Sequence, residues 1–175
     1  MGFLDKIFGS KTESASSESM KGWRSHEDSG RGFSLSYPPG WQIDDTSQGL
    51  VFSSPDSPRI FDPAMKETAA SPRLVITMGN VPDPGQNIVK DTIRSRSGAF
   101  EGYKFITHHS KSIPKASHAA LYEFQYGSPD QPFRALSAIV QAKNVFFIVT
   151  AYGTEQDFNR QRSVMECMVF SFQLV

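Results

Sequence analysis

The sequence predicts an α+β domain in which an antiparallel sheet is layered against amphipathic helices. Three observations carry this. Four strand-like segments follow one another between residues 103 and 153 with short turns, which implies antiparallel pairing. The segments 86–100 and 154 onward space their apolar residues as helices do. Both faces of such a sheet must be covered, and two helices of this kind are the covers.

The elements follow in order. Residues 1–9 place Phe3, Leu4, Ile7 and Phe8 on one helical stripe, with Gly9 as a stop. Residues 10–22 are rich in serine and read as a flexible linker. The domain proper is expected over 23–175. "FSLSY" (33–37) alternates Phe33, Leu35 and Tyr37 with serines, the period of a half-buried strand. Pro38 ends its pairing, and Pro39 and Gly40 suit the centre of a type II turn that returns Trp41 to the core. "GLVFSS" (49–54) and "RLVITMG" (73–79) are further strands, and the proline-rich 54–72 between them reads as a long surface loop. In 86–100, Val89, Ile93 and Phe100 share a helical face, with Lys90, Arg94 and Ser97 on another.

Strands are then expected at 103–110, 116–126, 133–142 and 145–153, the last reversed tightly at Lys143 and Asn144. Thr154 caps a final helix, with Asp157 in its first turn and Phe158, Met165, Val169 and Phe172 on its buried stripe. The order is three strands, a helix, four strands and a helix. It has neither the βα alternation nor the glycine motifs of nucleotide-binding folds.

Taken in order, "FSLSYPPGW", "LVFSSP", "HAALYEFQY", "NVFFIVTAYGTEQDF" and the closing "VFSF" resemble the PsbP-like family, which shares its fold with Mog-type Ran-binding proteins. The resemblance covers residues 31–175. It implies an antiparallel sheet of six or seven strands flanked by helices, an α/β/α layering. It also implies roles as assembly factors, extrinsic subunits or adaptors rather than catalysts. Phe158 stands where many members carry Trp, and no plastid or lipoprotein leader is read at the start, which argues against attachment to a photosystem.

Composition narrows function further. Lys+Arg and Asp+Glu are both 18, so no net field recruits nucleic acid, and no nucleic-acid partner is expected. A local basic excess at Lys90, Arg94, Arg96, Lys104, Lys111 and Lys115 reads as a solvated surface. The single Cys167 excludes an intrachain disulfide and, set among Val164, Met165, Met168 and Val169, suits a buried inert thiol. "MGFLDKIFGSK" is interrupted by Asp5 and Lys6, unlike a secretory leader, so the expected location is cytoplasmic, with peripheral membrane contact through residues 1–9.

No GxSxG elbow marks a nucleophile. Asp44 and Asp45 follow the Trp41 strand; since adjacent residues on a strand point to opposite faces, they form no acid/base dyad and are expected to shape a turn. If "KSIPKA" makes an even turn about Ile113 and Pro114, His109 faces His118, and a one-residue slip brings His108 there instead. Two facing imidazoles suit Zn²⁺ or Cu²⁺, with Glu123 or Glu101 as a further ligand. The expectation is a non-enzymatic binding or adaptor module with a protein partner, docked through Phe3, Leu4, Ile7 and Phe8, and with no cofactor. The alternatives are a metal-binding protein using His109 and His118, and a small-ligand carrier with a pocket between sheet and helix.

Overall fold

The computed structural model of the chain describes residues 20–83 and 85–175. The expectations for residues 1–9, including Phe3, Leu4, Ile7 and Phe8, and for the linker up to residue 19 lie outside the described residues. Along the chain the elements are β1 (Arg24–Asp28), β2 (Phe33–Tyr37), β3 (Gln42–Thr46), β4 (Gly49–Ser53), β5 (Arg59–Asp62), β6 (Glu67–Ala70), β7 (Arg73–Asn80), α1 (Ile88–Ala99), β8 (Lys104–His109), β9 (His118–Ser128), β10 (Gln131–Ala142), β11 (Val145–Thr154), α2 (Glu155–Arg160), α3 (Arg162–Phe170) and β12 (Gln173–Leu174). The main sheet has seven strands in the order β3-β4-β7-β11-β10-β9-β8, and every neighbouring pair is antiparallel. A small sheet, β1-β2-β12, and a hairpin, β5-β6, complete the strands of the described residues.

Strand alternation splits the long strands between two cores. On one face Leu74, Leu136, Phe147 and Val149 meet Phe33, Leu35 and Tyr37 of β2, together with Phe158, Met165, Met168 and Phe172 of the C-terminal segment. Burial of each such side chain contributes about 1.5–3 kcal/mol. On the other face Val75, Tyr122, Phe124, Tyr126, Ile139 and Tyr152 lie under α1 and the β5-β6 hairpin. The helix presents Val89, Ile93 and Phe100 to this core, and the hairpin presents Ile60, Ala64 and Met65.

The turn after β2 forms as its residues dictate. Gly40 has φ +84°, and the Trp41 N–H donates to the Pro38 carbonyl at 3.4 Å, which leaves Trp41 partly buried against the first core. At the N-terminus of α1 the Asn87 side chain does not cap. Gln141, buried on β10, does that work: its Oε1 accepts from the Ile88 N–H at 3.0 Å, and its Nε2 donates to the Gln86 carbonyl at 2.8 Å. The helix is thereby pinned over the sheet.

The structure differs from the sequence expectation beyond the added strands β1 and β12. Residues 54–72 contain the hairpin β5-β6, because Pro58 and Pro63 border β5 and Pro72 follows β6, so no ladder donor inside a strand is lost. The C-terminal helix is two helices, divided at Gln161, where φ −112° and ψ 22° break the helical path. Its N-terminus is capped as expected, the Thr154 hydroxyl accepting from the Asp157 N–H at 3.2 Å. The β8-β9 register is also shifted: a bulge between Phe105 and Thr107 sets Thr107 against Glu123 and His109 against Leu121.

Candidate functional site

The sheet face beneath α1 carries a row of hydroxyls among its apolar side chains. Register places Tyr122 of β9, Ser137 of β10 and Thr150 of β11 directly beside one another, so three hydroxyls cross the middle of the sheet in a line. Tyr152 lies two residues further along β11 and therefore on the same face. Over this row sits Arg96 of α1. Its Nη1 donates to Tyr122 Oη at 3.1 Å and to Ser137 Oγ at 2.7 Å, and its Nη2 donates to Thr150 Oγ1 at 3.1 Å and to Tyr152 Oη at 2.5 Å. Ser137 and Thr150 bond each other at 2.7 Å. The guanidinium carbon also lies 5.6 Å from the Phe100 ring centre and 5.5 Å from that of Phe124, within cation–π range.

This arginine is unlike the other deeply placed charges. The buried carboxylates of the described residues each meet an arginine: Asp62 meets Arg73 at 2.9 Å, Glu123 meets Arg134 at 3.2 Å and Arg162 at 2.9 Å, and Asp157 meets Arg160. Among the described residues Arg96 has no carboxylate partner, only neutral hydroxyls and ring faces. Burial works against its charge, but the phenol oxygens of Tyr152 and Tyr122 outweigh that and hold its pKa above the ordinary arginine value. Burial likewise pushes the Tyr122 phenol up, with Arg96 pulling partly back, so the phenol stays protonated at neutral pH. The cluster therefore holds one uncompensated positive charge.

Arg96, Thr150 and Tyr152 form the polar end of a cleft of about 250 Å³ between α1, the sheet and the turn of the β5-β6 hairpin. Met65, Val75, Phe100 and Ile148 make most of its apolar wall, which Ala64, Gln48 and Thr77 also line. A buried network fixes the hairpin side of this cleft. Asp62 Oδ2 accepts from Arg73 and, at 3.0 Å, from Tyr126 Oη, while its Oδ1 accepts from the Ala64 N–H at 2.9 Å. A larger hollow, near Arg31 and Asp45, has its arginine already paired with Asp28 and Asp45 and offers no comparable unmet charge.

The histidines do not meet. His118 pairs with Gln141 of β10 and lies on the α1 face, its Nδ1 3.4 Å from Asn87 Nδ2. His109 pairs with Leu121, an odd number of residues from His118 along β9, and so takes the opposite face. There its Nε2 is 3.9 Å from Glu123 Oε2, and its ring packs edge-on to Phe170. The expected facing pair is thus corrected by the connection itself: residues 110–117 do not make an even turn about Ile113 and Pro114. The ladder next to them sets His109 against Leu121 and puts the two imidazoles on opposite faces, while His108, opposite Tyr122, shares the His118 face but lies four residues along it. No cluster of three His, Cys, Asp or Glu side chains of metal-holding geometry occurs among the described residues. His109 instead packs against Phe170 beside the Glu123 ion pairs.

The PsbP family model matches residues 21–174. The chain belongs to the PsbP family. Among solved structures, it is similar to cyanobacterial PsbP (CyanoP) from Synechocystis, at 12% identity and a TM-score of 0.57, with 87% of this chain and 92% of that one covered. LpqN of Mycobacterium tuberculosis, described as involved in cell envelope biogenesis, aligns at 12% identity and a TM-score of 0.57 over 88% of this chain and 92% of that one. A Bacteroides thetaiotaomicron protein aligns at 10% identity and a TM-score of 0.52 over 87% of this chain and 48% of that one. At these identities the likeness is one of fold. No curated protein sequence matches the chain. Among the described residues, no helix of this PsbP-family chain is long and apolar enough to cross a membrane.

Arg96 was readable as an anomaly. Positions 89, 93, 96 and 100 follow helical spacing, so a charged residue stands on the apolar stripe of α1. Its sequence neighbours Lys90, Arg94 and Lys104 disguise it as one more member of a basic surface.

Proposed function

We propose that this PsbP-family protein is a non-enzymatic binding module and that the cleft beneath α1 holds its ligand. One observation carries the reading: Arg96 keeps a positive charge, without a carboxylate partner among the described residues, at the end of a mostly apolar cleft. A half-buried cation without a counter-charge has given up hydration for neutral partners alone, and an incoming anion offsets that cost. The chemistry favours binding over turnover. A guanidinium locked by four hydroxyls on three strands is a fixed electrostatic anchor, and its raised pKa keeps it from trading protons at neutral pH. The apolar stripe of Phe3, Leu4, Ile7 and Phe8 is proposed to dock this module on a partner protein, in keeping with an adaptor role.

Native mass spectrometry of the full chain, after incubation with a small-molecule extract of cells, tests the cleft. The expected result is a one-to-one adduct whose ligand leaves with its mass unchanged. A ligand released chemically altered overturns the non-enzymatic reading, and failure to form any adduct overturns the cleft as a ligand site.

A further inference from the structure

We propose that the cleft beneath α1 selects a small organic monocarboxylate with an apolar body, its carboxylate seated at Arg96 and Tyr152 and its body against Met65, Val75, Phe100 and Ile148. This rests on the reading of the cleft as the ligand site and names the chemistry of what enters it.

Charge is the first ground. The cluster holds a single uncompensated positive charge, which one carboxylate neutralises. A phosphate monoester carries about −1.5 to −2 at neutral pH and would bring a second, unmatched charge against an apolar wall.

Hydrogen-bond bookkeeping points the same way. The four bonds from Arg96 to the hydroxyl oxygens use its four Nη protons and leave the Nε–H over. Tyr152 Oη accepts from Arg96, but its own proton has no acceptor among the described residues. The polar end therefore has more protons to give than oxygens to receive them. A carboxylate supplies only acceptors, and its two oxygens suit two donors set side by side. A neutral alcohol would add a further donor.

Shape gives the third ground. A volume of about 250 Å³ equals that of roughly eight water molecules, which suits a compact ligand below the size of most drug-like molecules. The wall is a thioether, a valine, an isoleucine and a phenyl ring, so the rest of the ligand is hydrocarbon.

The test is calorimetric titration of the full chain with octanoate, octanol and inorganic phosphate. The expected result is one-to-one octanoate binding, roughly 10- to 100-fold tighter than octanol, the factor a hydrogen-bonded charge confers. Phosphate is expected neither to bind nor to compete. Arg96→Met should cost octanoate that same factor and leave octanol within about twofold. Ala64→Trp, which fills the cleft from the hairpin side and leaves Arg96 unsubstituted, should abolish binding of both while the far-UV circular dichroism and a cooperative urea transition are retained. Equal affinity for octanoate and octanol in the unmodified protein overturns the carboxylate assignment and leaves the cleft standing as a ligand site. So does an Arg96→Met variant that keeps its octanoate affinity. If neither ligand binds, both the cleft and the carboxylate assignment fall. Phosphate binding that displaces octanoate overturns the monocarboxylate in favour of a smaller, more highly charged anion.

Discussion

The hairpin wall of the cleft depends on a buried ion pair, and replacing Asp62 with Asn removes its anion with little change in shape. Asp62 is fully buried, and Arg73 is only 3% exposed. Asp62 Oδ2 takes two donors, Arg73 Nη2 at 2.9 Å and Tyr126 Oη at 3.0 Å, so an amide nitrogen there faces protons on both sides. Turning the amide over instead sets that nitrogen against the Ala64 and Met65 N–H groups, so donors are left facing one another in either orientation. Stranding one partner of a buried pair costs about 3–5 kcal/mol. At about 2–4 °C per kcal/mol for a chain of this length, Tm should fall by roughly 6–20 °C. Urea unfolding followed by tryptophan fluorescence, with calorimetry alongside, measures this. The double variant Asp62→Asn with Arg73→Met should regain part of the loss, because the stranded cation is gone. A single variant within 1 kcal/mol of the parent, or a double variant that simply adds the two losses, would refute the view that this pair holds the hairpin down.

Gly40→Val forces a β-branched residue into φ +84°, where a Cβ meets no neighbour, so its cost is backbone strain alone: about 1–2 kcal/mol in chemical denaturation, with the fold retained. Thr154→Ala removes the cap of α2 and a hydroxyl bonded to Asp157 at 2.7 Å, and should cost about 1–2 kcal/mol by the same measurement. The alkaline limb of the stability curve has a defined sign. Burial, helped by the neighbouring Asp62 charge, pushes Tyr126 well above its ordinary 10.0, and burial also raises Tyr122. The unfolded chain loses these protons first, so their contribution is complete below about pH 10 and drains away as pH rises above it. Tyr126→Phe should flatten that decline in a pH series of urea midpoints, and a decline as steep as the parent's would count against Tyr126 as its source.

Much of the fold was legible because its strands obey the simplest periodicity. "FSLSY" alternates and is β2, with Phe33, Leu35 and Tyr37 buried as its pattern requires. The run from β9 to β11 needed only short turns, and Lys143 at φ +52° closes the one between β10 and β11. The strands that escaped notice have polar or short sequences. β1 reads RSHED, β3 reads QIDDT and β12 has two residues, so partners rather than propensity make them strands. β5 was hidden by prolines that border it without entering it. The histidine pair failed for a register reason: the 110–117 connection is longer than the even turn that a facing pair requires, so His109 meets Leu121, and an offset of three residues from His118, being odd, exchanges the faces. Arg96 was visible on the stripe of α1, but its partners come from three strands distant in sequence, and no local pattern assembles them.

An anion belongs at Arg96, with hydrocarbon beyond it along the cleft. Crystals of the full chain grown with 6-bromohexanoate and measured at the bromine absorption edge test it most directly. One anomalous peak is expected among Met65, Val75 and Ile148, with the carboxylate density on Arg96 and Tyr152. A cleft without bromine, or a ligand turned so that its bromine rather than its carboxylate meets Arg96, would contradict it.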